Sequence, residues 1–448
     1  MTVGLQDSAI FGPLFADADI AGHFSDAERV RAMLDVEAAL AGAEGRLGVI
    51  PPDAADAIVG AARAASPDPA SLQAGTLSAG VPVAALVAQL RTAVGGQAAP
   101  YVHWGATSQD IVDTALVICL RAVIERLDTQ LAALADRLAV VAEVHRDTVM
   151  VARTRSQQAL PTTFGLKAAG WLAPLLRHRD RLAELRPRVL VLQFGGAAGT
   201  LAALHTQGIA VMDAMAADLE LGVAPLPWHT QRDAVVELAG WLSLLTGSLG
   251  KFGQDVVLLA QSEVAEVREG TGDAGGGSST MPQKANPIAG ETLVALARFN
   301  AGLIANMHHA AIQEHERGGP GWQVEWLTLP QMAVAAGAAL KHARTLADGL
   351  VVDSVRMRAN IDASSGLILA EAASFALADH MPRPDAQALV KAACADAAAT
   401  GRHLMDVLAE TTTAAVDWQT LRDPTRYLGA AGAFIDRTLA AAGVRSAG

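Results

Sequence analysis

The stretch DTALVICLRAVIERLDTQLAALADRLAVVAEVH, residues 113–145, decides the fold class of this chain. Its apolar residues recur in steps of four and three, which is the heptad pattern of a long helix packed against similar helices at a shallow angle. The apolar positions of this seam are Leu120, Ile124, Leu127, Leu131, Leu134, Leu138 and Val141. The segment therefore predicts an all-α fold with a long-helix bundle.

Composition supports the same fold class. Hydrophobic residues make up 51% of the chain and aromatic residues only 4%, so Ala, Leu and Val supply most of the apolar surface. Ala and Leu are strong helix formers, whereas the aromatic residues that favour strands are scarce. Further long helical patterns lie at roughly 160–186, 231–266, 287–313 and 328–350.

One helical pattern contains a stretch without charge, residues 241–250, which predicts burial on all sides inside an oligomeric bundle. A chain of 448 residues is too long for one compact core. We expect three parts: an N-terminal helical domain over 1–110, a central long-helix domain over 111–355 and a C-terminal helical domain over 356–448.

Bulk properties exclude several classes of partner. The net charge of −12 argues against nucleic acid and anionic membranes, although a few local cations can still bind an anionic substrate. Cys119 and Cys394 are the only cysteines, far apart and without metal-ligand spacing. We therefore expect no disulfide scaffold, no transmembrane helix, no signal peptide and a cytoplasmic protein.

The segment GTGDAGGGSSTMPQKANP, residues 270–287, carries the strongest chemical signal. Its glycines can turn successive backbone N–H groups toward an anion, while Lys284 adds positive charge and Ser278 and Ser279 add hydroxyls. Asn286 can cap a helix that begins at the following proline. The alternative is a flexible surface linker, which the specific residues at the end of the segment disfavour.

A second segment, YVHWGATSQD, residues 101–110, leads into the heptad helix. Thr107 and Asp110 have the spacing of a capping box, which accounts for both residues structurally. An N-terminus of a long helix also favours anions. Capping leaves three polar residues unexplained, and the choice between cap and site stays open: His103, Ser108 and Gln109.

Three other polar segments have equally plain structural interpretations. RTRSQQALPTT, residues 153–163, can be the solvated start of a helix. QEHERGGP, residues 313–320, places His315 and Arg317 at a helix end, where cations are commonly structural. The run WHTQRD, residues 228–233, is similarly ambiguous.

Taken together, these segments resemble one known family. GSSTMPQKANP, residues 277–287, is similar to the GSSxMPxKxNP signature of the fumarase/aspartase superfamily, which includes argininosuccinate lyase and adenylosuccinate lyase. The resemblance covers about residues 10–440. Other segments resemble its carboxymuconate cycloisomerase branch: HWGATSQD (103–110), LVLQFGGAAG (190–199), PWHTQRD (227–233), GSLGKFG (247–253), QEHER (313–317) and YLG (427–429).

The resemblance implies a three-domain all-α subunit, a homotetramer with a shared central bundle, and active sites at junctions of three subunits. It implies reversible cyclisation of 3-carboxy-cis,cis-muconate to a carboxylated muconolactone in the protocatechuate branch of the β-ketoadipate pathway. The substrate is then a small polycarboxylate, and neither a metal nor an organic cofactor is expected.

The resemblance also implies the roles of individual residues. Ser278 corresponds to the catalytic base of the superfamily, with Lys284 and Asn286 stabilising charge during the reaction. The residues expected to bind substrate are His103, Thr107, Ser108, Gln109, Arg155, Gln158, Thr162, Ser279, His315 and Arg317, and weaker candidates are Gln231 and Arg232.

Arg155 departs from the family pattern, because the lyases carry a catalytic histidine at this position. A permanently protonated arginine cannot replace histidine as a general acid or base. Two alternatives therefore stay open. One is a lyase that releases an amine or nitro group from a succinate-type substrate, and the other is a non-catalytic structural relative, which the intact Ser278, Lys284 and Asn286 disfavour.

Overall fold

The computed structural model describes residues 4–270, 281 and 284–443, and most of them lie in α-helices. The α-helices are α1 (Gly12–Phe15), α2 (Ala18–Gly22), α3 (Asp26–Arg46), α4 (Pro52–Ala64), α5 (Pro69–Ala79), α6 (Val83–Val94), α7 (Ser108–Val144), α8 (Phe164–Val189), α9 (Gly208–Asp218), α10 (Asp233–Leu259), α11 (Ile288–Ala310), α12 (Pro320–Gly349), α13 (Ser354–Asp362), α14 (Ala370–Ala378), α15 (Arg383–Thr400), α16 (Leu404–Thr411), α17 (Trp418–Leu421) and α18 (Ala431–Ala441).

Short strands form three two-stranded sheets within the described residues. The pairs β1–β2 and β5–β6 are antiparallel, and the pair β3–β4 is parallel. The strands are β1 (Val149–Thr154), β2 (Gln157–Thr163), β3 (Val191–Leu192), β4 (Gly222–Val223), β5 (Val267–Glu269) and β6 (Leu350–Val352).

The chain divides into two compact units. Unit 1 comprises Met1–Gln130, His178–Gly247 and Leu296–Lys341. One apolar core of this unit joins α3, α4, α6, α7 and α9, and it includes the fully buried side chains of Leu34 and Ile58. The N-terminus of α3 is capped by Ser25, whose hydroxyl accepts the N–H of Glu28.

Unit 2 comprises Leu131–Arg177, Ser248–Ala295 and His342–Gly448. Its apolar core joins α13, α14, α15 and α16 with strand β1, through buried residues such as Val151 and Leu404. The three domain boundaries expected from the sequence stay a prediction.

The seam of α7 confirms the heptad prediction. Every one of its seven apolar positions is buried, with at most 6% of the residue exposed. The helix begins at Ser108, five residues before the quoted stretch, and ends at Val144, one residue before the end of that stretch. The sequence period therefore identified the buried face correctly.

The uncharged stretch 241–250 has an exposed side chain in the single subunit, Leu244 at 55%, so its burial inside an oligomeric bundle stays a prediction. Two other sequence expectations need correction. Helix α12 begins at Pro320 rather than near 328, since proline at a first helical position is favourable. Residues 153–163 do not open a helix but form most of the β1–β2 hairpin, and α8 begins only at Phe164.

Helix α11 is long and apolar enough to cross a membrane by length and composition. Only 28% of its most apolar window is buried within the single chain. Among the residues that the structure describes, Ile288–Ala310 is the single helix with these properties.

Glu44 of α3 is an ionisable group enclosed in the core of unit 1. It is fully buried, and neither carboxyl oxygen has a hydrogen-bond partner among the described residues. Burial, and secondarily the charge of Glu37, raises the pKa of Glu44 from 4.5 to about 9. An unpaired carboxylate in an apolar interior is costly, so this side chain keeps its proton at neutral pH.

We therefore expect the Glu44→Met variant to be more stable than the wild type at neutral and alkaline pH. The unfolded chain releases the Glu44 proton near 4.5 and the folded chain near 9, so wild-type stability falls as pH rises between these values. At pH 7 the loss is roughly 3 kcal/mol. Urea unfolding at several pH values measures it, with the exposed Glu28→Gln as the control. Equal pH slopes for the wild type and Glu44→Met would contradict this account.

Candidate functional site

The N-terminus of α7 is capped by the side chain of Asp110. The carboxylate of Asp110 accepts the backbone N–H of Thr107 at 3.0 Å, and the N–H of Asp110 is bonded to the carbonyl of Thr107 at 3.0 Å. Because Asp110 faces back toward Thr107, the hydroxyl of Thr107 is left for other partners. The Asp110 half of the predicted capping box is therefore formed, whereas the N–H of Asp110 bonds the carbonyl of Thr107 and not its hydroxyl.

The same carboxylate organises a neighbouring glycine loop in unit 1. Asp110 is only 1% exposed. It accepts the backbone N–H groups of Gly195 at 3.0 Å and Gly196 at 2.9 Å, and it lies 2.8 Å from Nε2 of the buried His229. A Cβ at Gly195 would lie 2.6 Å from Pro227, so only glycine fits there. Sequence reasoning missed this role, because a capping box already explained Asp110.

Arg317 binds to this assembly from the loop that follows α11. Its guanidinium donates to the hydroxyl of Thr107 at 2.9 Å and to the carbonyls of Gly196 at 3.0 Å and Ala197 at 2.9 Å. Arg317 is nevertheless exposed, so part of its guanidinium faces solvent. The structure therefore brings Thr107 and Arg317 together at the start of α7.

His103 lies in the loop before α7 and is held by a buried acid. Its Nδ1 is 2.6 Å from a carboxylate oxygen of Glu37, which is 1% exposed. Burial alone would lower the pKa of His103, but the nearby Glu37 carboxylate raises it above the usual 6.5. His103 has a φ of 64°, which is a strained backbone conformation for a residue other than glycine.

The other predicted residues of unit 1 differ in accessibility. Ser108 is half-buried as the first residue of α7, and His315 is exposed with a φ of 50°. Gln109 is 1% exposed, and its amide donates to Asp113 at 3.1 Å and to the carbonyl of His229 at 3.0 Å. Direct binding of substrate by these three residues stays a prediction.

Arg232 lies in a buried network beneath the start of α7. Its guanidinium pairs with Asp113 at 2.7 Å and with Glu325 at 2.5 Å, and all three side chains are at most 1% exposed. The indole of Trp322 also donates to Asp113 at 2.9 Å. The weaker proposal of Arg232 as a substrate anchor is therefore corrected, because its N–H groups are already bonded to Asp113 and Glu325 inside the core.

In unit 2, Arg155 and Ser156 form the exposed turn of the β1–β2 hairpin. Their φ angles are 49° and 66°, which is the pattern of a type I′ turn. Gln158 is exposed opposite Arg153, and Thr162 is half-buried opposite Met150. No hydrogen bond or ion pair of Arg155 is found in the described part of the chain, and its charge is open to solvent.

The hairpin is anchored by a bidentate ion pair. Arg153 donates to both carboxylate oxygens of Glu266 at 2.8 Å, and the amide of Asn360 donates to Glu266 at 2.8 Å as well. Glu266 is fully buried, so this contact is shielded from water and salt. It fixes the hairpin that carries Arg155, and the sequence contained no local signal for it.

Lys284 and Asn286 lie just before α11. Lys284 is exposed and Asn286 is half-buried. The carbonyl of Asn286 accepts the N–H of Ile288 at 3.0 Å, and the helix begins at Ile288, one residue later than expected. Ser278 and Ser279 lie outside the described residues, so their assigned roles rest on the motif alone.

The described residues contain no group of three or more His, Cys, Asp or Glu side chains placed to hold a metal ion. In unit 1 the structure brings together the Arg317 guanidinium, the Thr107 hydroxyl and the N-terminus of α7. Unit 2 carries Arg155 at the hairpin turn and, separately, Lys284 and Asn286 before α11. Such groups bind carboxylates by charge and hydrogen bonding.

Comparison with known proteins identifies the class. Residues 16–299 match the family described as lyase, and residues 366–438 match the adenylosuccinate lyase C-terminus. The chain therefore belongs to this lyase family. This membership agrees with the all-α, fumarase/aspartase-like fold.

Particular relatives are similar over nearly the whole chain. The 3-carboxy-cis,cis-muconate cycloisomerase of Pseudomonas aeruginosa is 46% identical, covering 96% of both chains. The crystal structure of the 3-carboxy-cis,cis-muconate lactonizing enzyme from Pseudomonas putida is 43% identical with a TM-score of 0.92, covering 97% of this chain and 99% of that one. The nitrosuccinate lyase of Streptomyces davaonensis is 38% identical, covering 97% of this chain and 94% of that protein.

Proposed function

We propose that this protein catalyses the reversible cycloisomerisation of 3-carboxy-cis,cis-muconate to a carboxylated muconolactone. The observation that carries the proposal is the 46% identity to the Pseudomonas aeruginosa cycloisomerase over 96% of both chains. A polycarboxylate substrate also suits the cationic and hydroxyl groups described above. The reaction belongs to the protocatechuate branch of the β-ketoadipate pathway.

The start of α7 supplies one carboxylate anchor in this proposal. Arg317 uses three hydrogen bonds to hold Thr107 and the glycine loop, and its exposed face remains available for a substrate carboxylate. The positive dipole end of a long helix adds to the same attraction. His103, whose pKa is raised by Glu37, adds an imidazole donor in unit 1.

Proton transfer is assigned to Ser278. In the direction of lactone opening, a proton leaves the carbon next to a carboxylate and the C–O bond at the β-carbon breaks. The intermediate carries extra negative charge on that carboxylate, so donors and cations must face it. Lys284 and Asn286 supply them. In the lactonising direction an internal carboxylate attacks the double bond, and Ser278 returns the proton to carbon.

The protein is proposed to act as a cytoplasmic homotetramer. Apolar side chains remain exposed on three long helices of the single chain, namely Leu244 of α10, Phe299 of α11 and Leu327 of α12. Helix α11 is also largely uncovered. Packing of these faces against further copies of the chain would remove apolar surface from water.

A second candidate function is the elimination of a nitro or amine group from a succinate-type substrate. The 38% identity to the nitrosuccinate lyase favours it, since that protein covers the chain as fully as the cycloisomerases do. Arg155 at the hairpin turn is the feature that would distinguish the two functions, because it places a cation where the lyases carry histidine.

The first test is ultraviolet absorbance of 3-carboxy-cis,cis-muconate mixed with the purified protein. We expect loss of the conjugated-diene band, a lactone identified by NMR and a tetramer in size-exclusion chromatography with light scattering. An unchanged diene band with an intact tetramer would contradict the cycloisomerase. Release of fumarate from nitro- or aminosuccinate would then establish the second function.

A further inference from the structure

Strand β5 ends in a glutamate that reaches across to the start of helix α11. One carboxylate oxygen of Glu269 accepts the N–H of Ala289 at 3.0 Å, and the other accepts the N–H of Gly290 at 2.8 Å. Amides of a first helical turn have no partner within the helix. The side chain of Glu269 therefore links the end of β5 to α11, which begins at Ile288, shortly after Lys284 and Asn286.

The surrounding backbone leaves little freedom for this contact. A Cβ on Gly290 would lie 3.0 Å from the carbonyl oxygen of Gly253, and a Cβ on Gly253 would lie 2.6 Å from that of Gly290. Helices α10 and α11 thus touch backbone to backbone at this point. The carboxylate of Glu269 also borders this contact, since one of its oxygens lies 3.3 Å from the Cβ position of Gly290.

The backbone at both ends of β5 is also held in place. The N–H of Gly270 donates to the carbonyl of Gly349 at 2.7 Å, and any Cβ at Gly270 would lie 2.1 Å from that oxygen. Three residues before Glu269, Glu266 is bonded to Arg153 of the hairpin. The strand therefore has a defined position, and Glu269 transmits that position to α11.

Charge and length both suit Glu269 to this role. A carboxylate at a helix N-terminus is stabilised by the macrodipole and by charge-assisted hydrogen bonds. The two accepted amides are consecutive, so both oxygens must face the helix end at once. Aspartate carries the same charge but is shorter by one methylene, and glutamine keeps the length with a single accepting oxygen.

We propose that Glu269 is a positioning residue for the reaction, because it holds the start of α11 and thereby sets the positions of Lys284 and Asn286. The inference rests on the proposed function, in which these two residues stabilise developing charge. Among the described residues, the hydrogen bonds of Glu269 go to the backbone amides of Ala289 and Gly290, and its proposed role includes no proton transfer.

The test compares Glu269→Gln, Glu269→Asp and Glu269→Ala with the exposed control Glu263→Gln. Hydrogen exchange of the amides of residues 288–291 reports the contact, and steady-state kinetics reports the reaction. We expect hydrogen exchange of these amides to be slowest in the wild type and in Glu263→Gln. It should be faster in Glu269→Gln and fastest in Glu269→Asp and Glu269→Ala. Turnover should fall about tenfold in Glu269→Gln and about a hundredfold in Glu269→Ala, while KM should change less than about threefold in both.

The order of the variants separates positioning from charge alone. If charge at the helix end were sufficient, Glu269→Asp would retain more activity than Glu269→Gln. That result would show that the proposal is wrong. It would also be overturned by unchanged exchange in Glu269→Ala, or by faster exchange with unchanged turnover. If Glu269→Ala does not fold, exchange and turnover of the isosteric Glu269→Gln variant test the proposal. A wild type without cycloisomerase activity refutes the proposed function instead, while exchange still reports the contact.

Discussion

The Ser278→Ala variant is expected to lose turnover of the muconate by about 10²–10⁴-fold, the usual contribution of a positioned acid or base. Alanine can neither accept the proton next to the carboxylate nor return it to carbon. The proposed substrate anchors Arg317 and Thr107 are untouched by this change, so KM should change little. Single-turnover absorbance of the diene band separates slow chemistry from weak binding.

A matched serine makes this test specific. Ser71→Ala alters an exposed hydroxyl on α5 and should leave turnover and tetramer unchanged. Circular dichroism and size-exclusion chromatography establish that both variants are folded. Wild-type turnover in Ser278→Ala would remove this residue from its assigned role and direct attention to His103 as the proton carrier, since Glu37 raises the pKa of that imidazole.

The fold could be predicted where its cause is local. The heptad seam of α7 depends only on the spacing of apolar residues along one helix, and every seam residue is buried as expected. The β1–β2 hairpin was missed for an equally physical reason. Its turn places Arg155 and Ser156 at positive φ, whereas the usual sequence signal for such a turn is Asn-Gly.

The site could be predicted in part. Motifs identified Thr107 and Arg317, and the structure places their side chains 2.9 Å apart. The buried acids that hold the site were not recognised, because their partners are far away in the sequence. Glu266 pairs with a residue 113 positions earlier, and no local period signals such a pair. Long-range charge pairing becomes visible only when the chain is folded.

The buried pairing of Arg232 leads to the largest expected loss of stability. The Arg232→Met variant keeps an apolar stem in the core but leaves Asp113 and Glu325, both at most 1% exposed, without their cation. Removing one partner of a buried ion pair costs about 3–5 kcal/mol, because the remaining charges are stranded in a medium of low dielectric. Urea unfolding of both proteins at equal concentration measures this loss.

The pH dependence of that loss has a defined sign. Burial, opposed by Arg232, already raises the pKa of Glu325 in the wild type. Without the guanidinium the folded pKa of Glu325 should rise further, so the variant loses stability as the pH increases above the pKa of an unfolded carboxyl. We therefore expect a smaller difference from the wild type at pH 5 than at pH 8.

Arg188→Met is the matched control, since Arg188 makes a bidentate pair with Glu237 that is open to solvent, at 52% and 42% exposure. A surface pair contributes about 1 kcal/mol or less because water and salt screen it. Equal destabilisation by the two arginine variants would contradict a structural role for burial. A large loss confined to Arg232→Met would establish the triad as the anchor of α7, α10 and α12, on which the position of Thr107 depends.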